Sequence, residues 1–173
     1  MNQRRSRVFN IVFTLTLYSV TAGAEYDPKF DPGAVTPWRE SETALPAYPA
    51  DPDLVEVPAS AIDGFTLYID RKSLSRGDDR VVRLTTVIAS PTGARNVFYE
   101  GIRCDTRESK TYATGSSERQ WRPYAAAQWQ FIPAQERNGF RYQLYRHYVC
   151  DGAGVARVPA DILRAVADIA RPN

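Results

Sequence analysis

The chain has 173 residues, 24% of them charged and 43% apolar, and a formal net charge of +2. That length suits one domain once a leader is removed, and so small a charge gives no footing for nucleic-acid binding. One histidine and two cysteines confine histidine-dependent catalysis and soft-metal ligation to very few residues.

Arg4, Arg5 and Arg7 open the chain, and an uncharged run rich in Val, Ile, Leu and Phe follows from Val8 to Val20. Ala22, Gly23 and Ala24 supply the small residues after which a signal peptidase cuts. The expected leader is therefore residues 1–24, with cleavage before Glu25. Its apolar run is shorter than the ~18 residues of a spanning helix. The residues after Arg4-Arg5 fit a twin-arginine signal poorly, so the general secretory route is expected. No cysteine lies near the cut to carry a lipid. The leader holds three of the 22 basic residues and none of the 20 acidic ones, which leaves 19 against 20 beyond it. The expected location is the periplasm.

Residues 25–53 hold six prolines and seven acidic residues. Such a segment forms neither a long helix nor a central strand. It also carries Trp38, Leu45 and Tyr48, which a bare linker does not need, so its later half is expected to lie extended along the single domain of residues 54–173.

Phe65 to Asp70 reads as a strand with Phe65, Leu67 and Ile69 on one face. Arg71–Arg80 is a turn region punctuated by Gly77 and Asp78. Val81–Ser90 and Ala94–Cys104 are strands joined by Pro91-Thr92-Gly93, a three-residue loop with glycine where φ must be positive. Pairing Ser90 with Ala94 sets Leu84 opposite Glu100 and Val82 opposite Ile102. Val82, Leu84, Ile88, Phe98, Ile102 and Cys104 then share a face with Glu100. Ser109–Gly115 is a further strand, and Trp129–Ile132 a weaker one.

Phe140–Cys150 fits two periods. Phe140, Leu144 and Tyr148 suit a helix stripe capped by Asn138, while the tyrosines suit a strand; a helix is the expected form. Pro159–Ala170 is a clearer helix, with Ile162, Leu163, Val166 and Ile169 on one face. The expected fold is α+β, an antiparallel β-meander packed against C-terminal helices. Two cysteines in an exported chain, Cys104 and Cys150, are expected to form one disulfide.

Several stretches, "FTLYIDRKSLSRGDDRVVR", "SPTGARNVFYEGIRC", "YATG" and "LYRHYVC", together with "PWRE" and "LPAYP" upstream, resemble the CNP-one-like family of small exported proteobacterial proteins. The resemblance spans roughly residues 30–170. It implies an envelope location, a pair of cysteines corresponding to Cys104 and Cys150, and no catalytic motif. Phe98 stands where the resemblance leads one to expect a smaller residue.

His147 is the only residue on which a Ser-His-Asp or Cys-His set could be built, and no G-x-S-x-G elbow is present. His147, Cys150 and Cys104 offer zinc three ligands where a structural site takes four. No catalytic set, metal or cofactor is expected. Glu100 interrupts an apolar face and needs a partner, for which Arg141 and Arg146 are the candidates, with Tyr145 as a further donor. Trp38, Tyr112, Trp121, Tyr124 and Trp129 are expected to form a satellite core under a long loop; the alternative is a candidate binding surface, a groove for an extended peptide or glycan. The expected function is a non-catalytic binding or interaction module whose partner is an envelope protein or extended ligand. A hydrolase acting on cell-envelope material and a structural accessory subunit are the alternatives.

Overall fold

The computed structural model describes residues 37–58, 64–134 and 139–171. The expected leader, the first part of the proline-rich segment and Asn138 lie outside the described residues. A single 3-10 turn, Asp51–Asp53, leads into β1 (Leu54–Val57). Then come β2 (Thr66–Asp70), β3 (Ser75–Arg76), β4 (Val81–Ala89), β5 (Arg95–Arg103), β6 (Glu108–Gly115), β7 (Trp121–Pro123) and β8 (Gln130–Phe131). The described residues thus form an eight-stranded antiparallel sheet ordered β1-β2-β4-β5-β6-β7, with β3 added to β4 and β8 to β6. α1 (Phe140–Gln143) runs on from Leu144 to Val149 as a wider π-helical turn, and α2 (Pro159–Ala170) closes the fold. The fold is α+β, as the residue pattern indicates.

The β4–β5 hairpin has the register its loop predicts. The Ser90 N–H donates to the Ala94 carbonyl at 2.8 Å, Gly93 has a φ of +84°, and Leu84 faces Glu100 while Val82 faces Ile102. β4 is buried from Val81 to Val87 because both faces of the sheet are covered. On one face Leu67, Ile69, Val82, Leu84 and Ile102 pack against Leu144, Tyr148, Ile162 and Val166 from the helices. Burying each of these large side chains contributes about 1.5–3 kcal/mol. The other face carries Val81, Val87, Val97, Tyr99 and Ala113, all buried.

The π turn has a role in this packing. The Cys150 N–H reaches back to the Tyr145 carbonyl, five residues away, at 3.2 Å. The widened turn buries Leu144, Tyr148 and Val149 together and delivers Cys150 to Cys104 at the end of β5. The two cysteines form a disulfide with Cα atoms 5.6 Å apart, the usual span for such a bond.

Two local expectations are corrected. Phe65 precedes β2 and is exposed, and Ile169 is exposed because α2 outruns the sheet; Ile162 and Val166 carry the buried stripe. The N-cap position of α1 is Gly139, with no side-chain cap. The turn into β4 has its positive φ at Arg80 (+62°).

Gly101, buried in β5, marks the tightest approach on the second face. A Cβ there would meet the Tyr112 hydroxyl at 2.6 Å and Trp129 and Val81 atoms at 3.0 Å. Gly101→Ala is expected to lower stability by about 1–3 kcal/mol, read from urea denaturation. An unchanged midpoint would mean that Tyr112 swings away freely. No helix among the described residues is long and apolar enough to cross a membrane.

Candidate functional site

Glu100 is 2% exposed and faces the helices from the middle of β5. Its partner is Arg141 on α1. The Arg141 Nε and Nη2 both donate to Glu100 Oε1, at 2.8 and 2.5 Å. The Thr111 hydroxyl donates to the same oxygen at 2.9 Å, and the Thr86 hydroxyl lies 3.5 Å from Oε2. Burial pushes the Glu100 carboxyl above its usual range, while Arg141 and the two hydroxyls pull it back.

A β-bulge places Thr111. The β5–β6 register shifts between Tyr99 and Glu100, so Tyr112 is the extra residue of β6. Without the shift Thr111 and Thr114 would point to opposite faces. With it both reach the helix side, and Tyr112 turns to the other. The Tyr112 carbonyl, released from the ladder, accepts the Tyr124 N–H at 2.8 Å.

Arg141 is also the wall of a cleft. A cavity of about 370 Å³ opens over β6 and β8, lined by Arg141, Ser109, Thr111, Thr114, Gln128 and Gln130 on its polar side. Phe98, Tyr124, Phe131 and Ile132 line its apolar side. Phe98 stacks on Phe140 at 5.9 Å, and the Arg141 guanidinium sits 4.5 Å from the Phe140 ring centre. The guanidinium is therefore held by a carboxylate behind it and a ring beside it, with its side chain still 35% exposed.

The other sheet face is occupied by the chain itself. Residues 38–50 cross it without helix or strand. Trp38 donates its indole N–H to the Asp79 carbonyl and meets Trp129 edge-on at 5.9 Å, while Arg103 stacks on Trp38 at 3.7 Å. Glu40 accepts from the Tyr112 hydroxyl at 2.6 Å, Lys110 Nζ at 2.8 Å and the Trp129 indole at 3.1 Å. Burial would raise the Glu40 carboxyl, but these donors outweigh it and hold it below its usual value. The same burial, with Glu40 beside it, pushes the Tyr112 phenol upward. Further along, the Trp121 indole donates to the Pro46 carbonyl at 2.8 Å and Tyr48 packs on Trp121.

Asp79 ties this strap to the sheet. It takes two hydrogen bonds from Arg83, at 2.7 and 3.1 Å, and one each from the Ser41 and Val81 N–H groups. Burial acts to raise its carboxyl, and the donors overcome it and hold the group down to about 2. A depressed carboxylate stabilises the fold above its unfolded value, near 3.8, and that contribution is lost as pH falls through about 2. The parent is therefore expected to lose roughly 2 kcal/mol on this account between about pH 4 and pH 2. Asp79→Asn should be less stable at neutral pH and flatter over that window; equal slopes in acid denaturation would refute the assignment.

The candidate residues divide accordingly. Arg141 meets Glu100. Arg146, on the π-helical turn beyond α1, is exposed and makes no such contact. Tyr145 packs toward the Arg107 guanidinium, 5.7 Å from its ring centre, not toward Glu100. His147 is exposed beside Tyr148. Tyr112, Trp121 and Trp129 lie under the strap, to which Trp38 belongs, and all four are half-buried, so the space among them is filled by residues 38–50 of the same chain. Tyr124 alone of the five lies apart, 51% exposed at the cleft. Sequence reasoning missed Thr111, Ser109, Gln128 and Gln130 as cleft residues. It also missed Glu40, although an acid two residues after a tryptophan in a proline-rich stretch was a usable signal.

These features define a disulfide-stapled α+β domain with an extended strap on one sheet face and a polar, aromatic-edged cleft on the other. The model of the CNP1-like family matches residues 34–167, strap included, and the chain belongs to that family. No curated protein and no solved structure matches it.

Proposed function

We propose that the protein is a non-catalytic binding module of the cell envelope and that the cleft beside Arg141 is its binding site. One observation carries this reading. The charged group at the cleft, Arg141, is anchored by a carboxylate that is itself 2% exposed. Glu100 thus positions the guanidinium and is shielded from a ligand, while a hydrolytic pair needs acid and base within reach of substrate. The buried disulfide supports an oxidising compartment, which agrees with export to the periplasm.

The test is amide NMR of the isotope-labelled exported protein mixed with fractions of envelope extract, with mass spectrometry of the extract before and after. Shifts confined to residues around the cleft and unchanged extract masses are expected. Cleavage of an extract component, or shifts that avoid the cleft for every fraction, would overturn the reading in favour of an enzyme or an accessory subunit.

A further inference from the structure

The cleft offers more unspent hydrogen-bonding capacity than a packing defect would. Ser109 is 8% exposed, lines the cavity, and its hydroxyl has no hydrogen-bond partner among the described residues. The side chains of Thr114, Gln128 and Gln130 line the same cavity and are likewise unpartnered. Buried and half-buried polar groups are normally satisfied, so the free hydroxyls of Ser109 and the half-buried Thr114, beside the exposed amides of Gln128 and Gln130, make one space of about 370 Å³ where a polar molecule completes the set.

The charge balance narrows the class. Arg141 Nε and Nη2 are already committed to Glu100. The cleft therefore presents a guanidinium whose charge is matched from behind. A second carboxylate or a phosphate would gain only what that pair leaves over, while a neutral hydroxyl or carbonyl still finds free N–H donors on Nη1. The apolar side narrows it further. Tyr124 and Phe131 are 51% and 61% exposed at the cleft. Arg107 lies 5.0 Å from the Phe131 ring centre and supports that ring from within the protein. Two exposed rings beside amides and hydroxyls suit a ligand with flat apolar faces and a hydroxyl rim.

We infer that the cleft binds a neutral oligosaccharide, its pyranose faces laid against Tyr124 and Phe131 and its hydroxyls or acetamido groups bonded to Arg141, Gln128, Gln130 and Ser109. This rests on the cleft being the binding site and names its ligand class.

The experiment titrates the exported protein with three probes of equal length: cellohexaose, chitohexaose and hexagalacturonate. Binding is followed through the side-chain amide signals of Gln128 and Gln130 and by calorimetry. At least one neutral hexasaccharide is expected to shift both amide signals and to bind more tightly than hexagalacturonate. Tyr124→Ala and Phe131→Ala alter exposed side chains, so the melting temperature should hold while affinity falls about tenfold. Failure of both neutral probes, tighter binding of hexagalacturonate, or full affinity in both variants would overturn the inference. If envelope extract still shifted the cleft in that event, the ligand class alone would fall and the binding reading would stand.

Discussion

Replacing Cys104 and Cys150 together by alanine is expected to lower the unfolding free energy by about 4 kcal/mol. The bond joins residues 46 apart in sequence, and closing a loop of that length restricts the unfolded chain by roughly this amount. The native geometry adds no obvious penalty, because the Cα separation of 5.6 Å is ordinary and both cysteines are buried. Against a net stability of about 5–15 kcal/mol for a small domain, the loss is large. Urea denaturation with and without reductant checks it. Reductant should bring the parent to the midpoint of the double-alanine protein and leave that protein unmoved. A parent indifferent to reductant would show that packing alone holds β5 to the π turn.

Arg141→Ala is the second large effect. It strands Glu100 among apolar side chains, and breaking a buried pair costs about 3–5 kcal/mol. The lower end is expected here, since Arg141 is partly exposed and the carboxyl can take up a proton. That route fixes the pH dependence. With its guanidinium gone, the burial that already raises Glu100 acts with less opposition. A carboxyl raised above its unfolded value binds its proton more tightly in the fold. The stability it contributes is present below the unfolded pKa and is lost as pH rises through the folded one. The deficit of Arg141→Ala relative to the parent should therefore shrink on acidification from neutral pH toward about 4. Glu100→Gln should cost less than Glu100→Ala, because the amide keeps an acceptor for Thr111 and Arg141. Thermal melts across pH decide both. A deficit that stayed constant would mean that water reaches Glu100 once the arginine is removed.

Much of the sheet was legible because local rules and the global fold agree there. Gly93 and its proline-led loop settle the hairpin register, and the register settles which residues accompany Glu100. α2 announces itself through Pro159 and a helical apolar period. What escaped notice lacks a local signal. β1 is four residues long beside a proline-rich stretch. β7 ends on Pro123, which an edge strand tolerates. The positive φ values at Arg80, Arg107 and Arg119 fall on residues that give no hint of them. The bulge at Tyr112 is a property of two strands together and leaves no mark in either. The aromatic cluster shows the limit best. Trp121, Tyr124, Trp129 and Phe131 are close in sequence, yet the first and third pack under the strap while the second and fourth edge the cleft. Their separation depends on how β7, β8 and the loop between them attach to β6, and spacing along the chain does not contain that.

The strap also sets an order of events in folding. Its anchors lie far ahead of it: Trp38 waits for Asp79, 41 residues on, and Glu40 for Lys110, Tyr112 and Trp129, 70, 72 and 89 residues on. A chain delivered N-terminus first presents this segment long before β6 exists to receive it. Loop closure over such distances is repaid only after the sheet has formed, so docking is expected on the late side of the folding barrier. Contacts made after the barrier leave the folding rate unchanged and slow unfolding. The strap thus acts as a latch on the lifetime of the folded state, and the barrier to lifting residues 38–50 governs how long the buried face of Val81, Val87 and Tyr99 stays closed to proteases in the surrounding compartment.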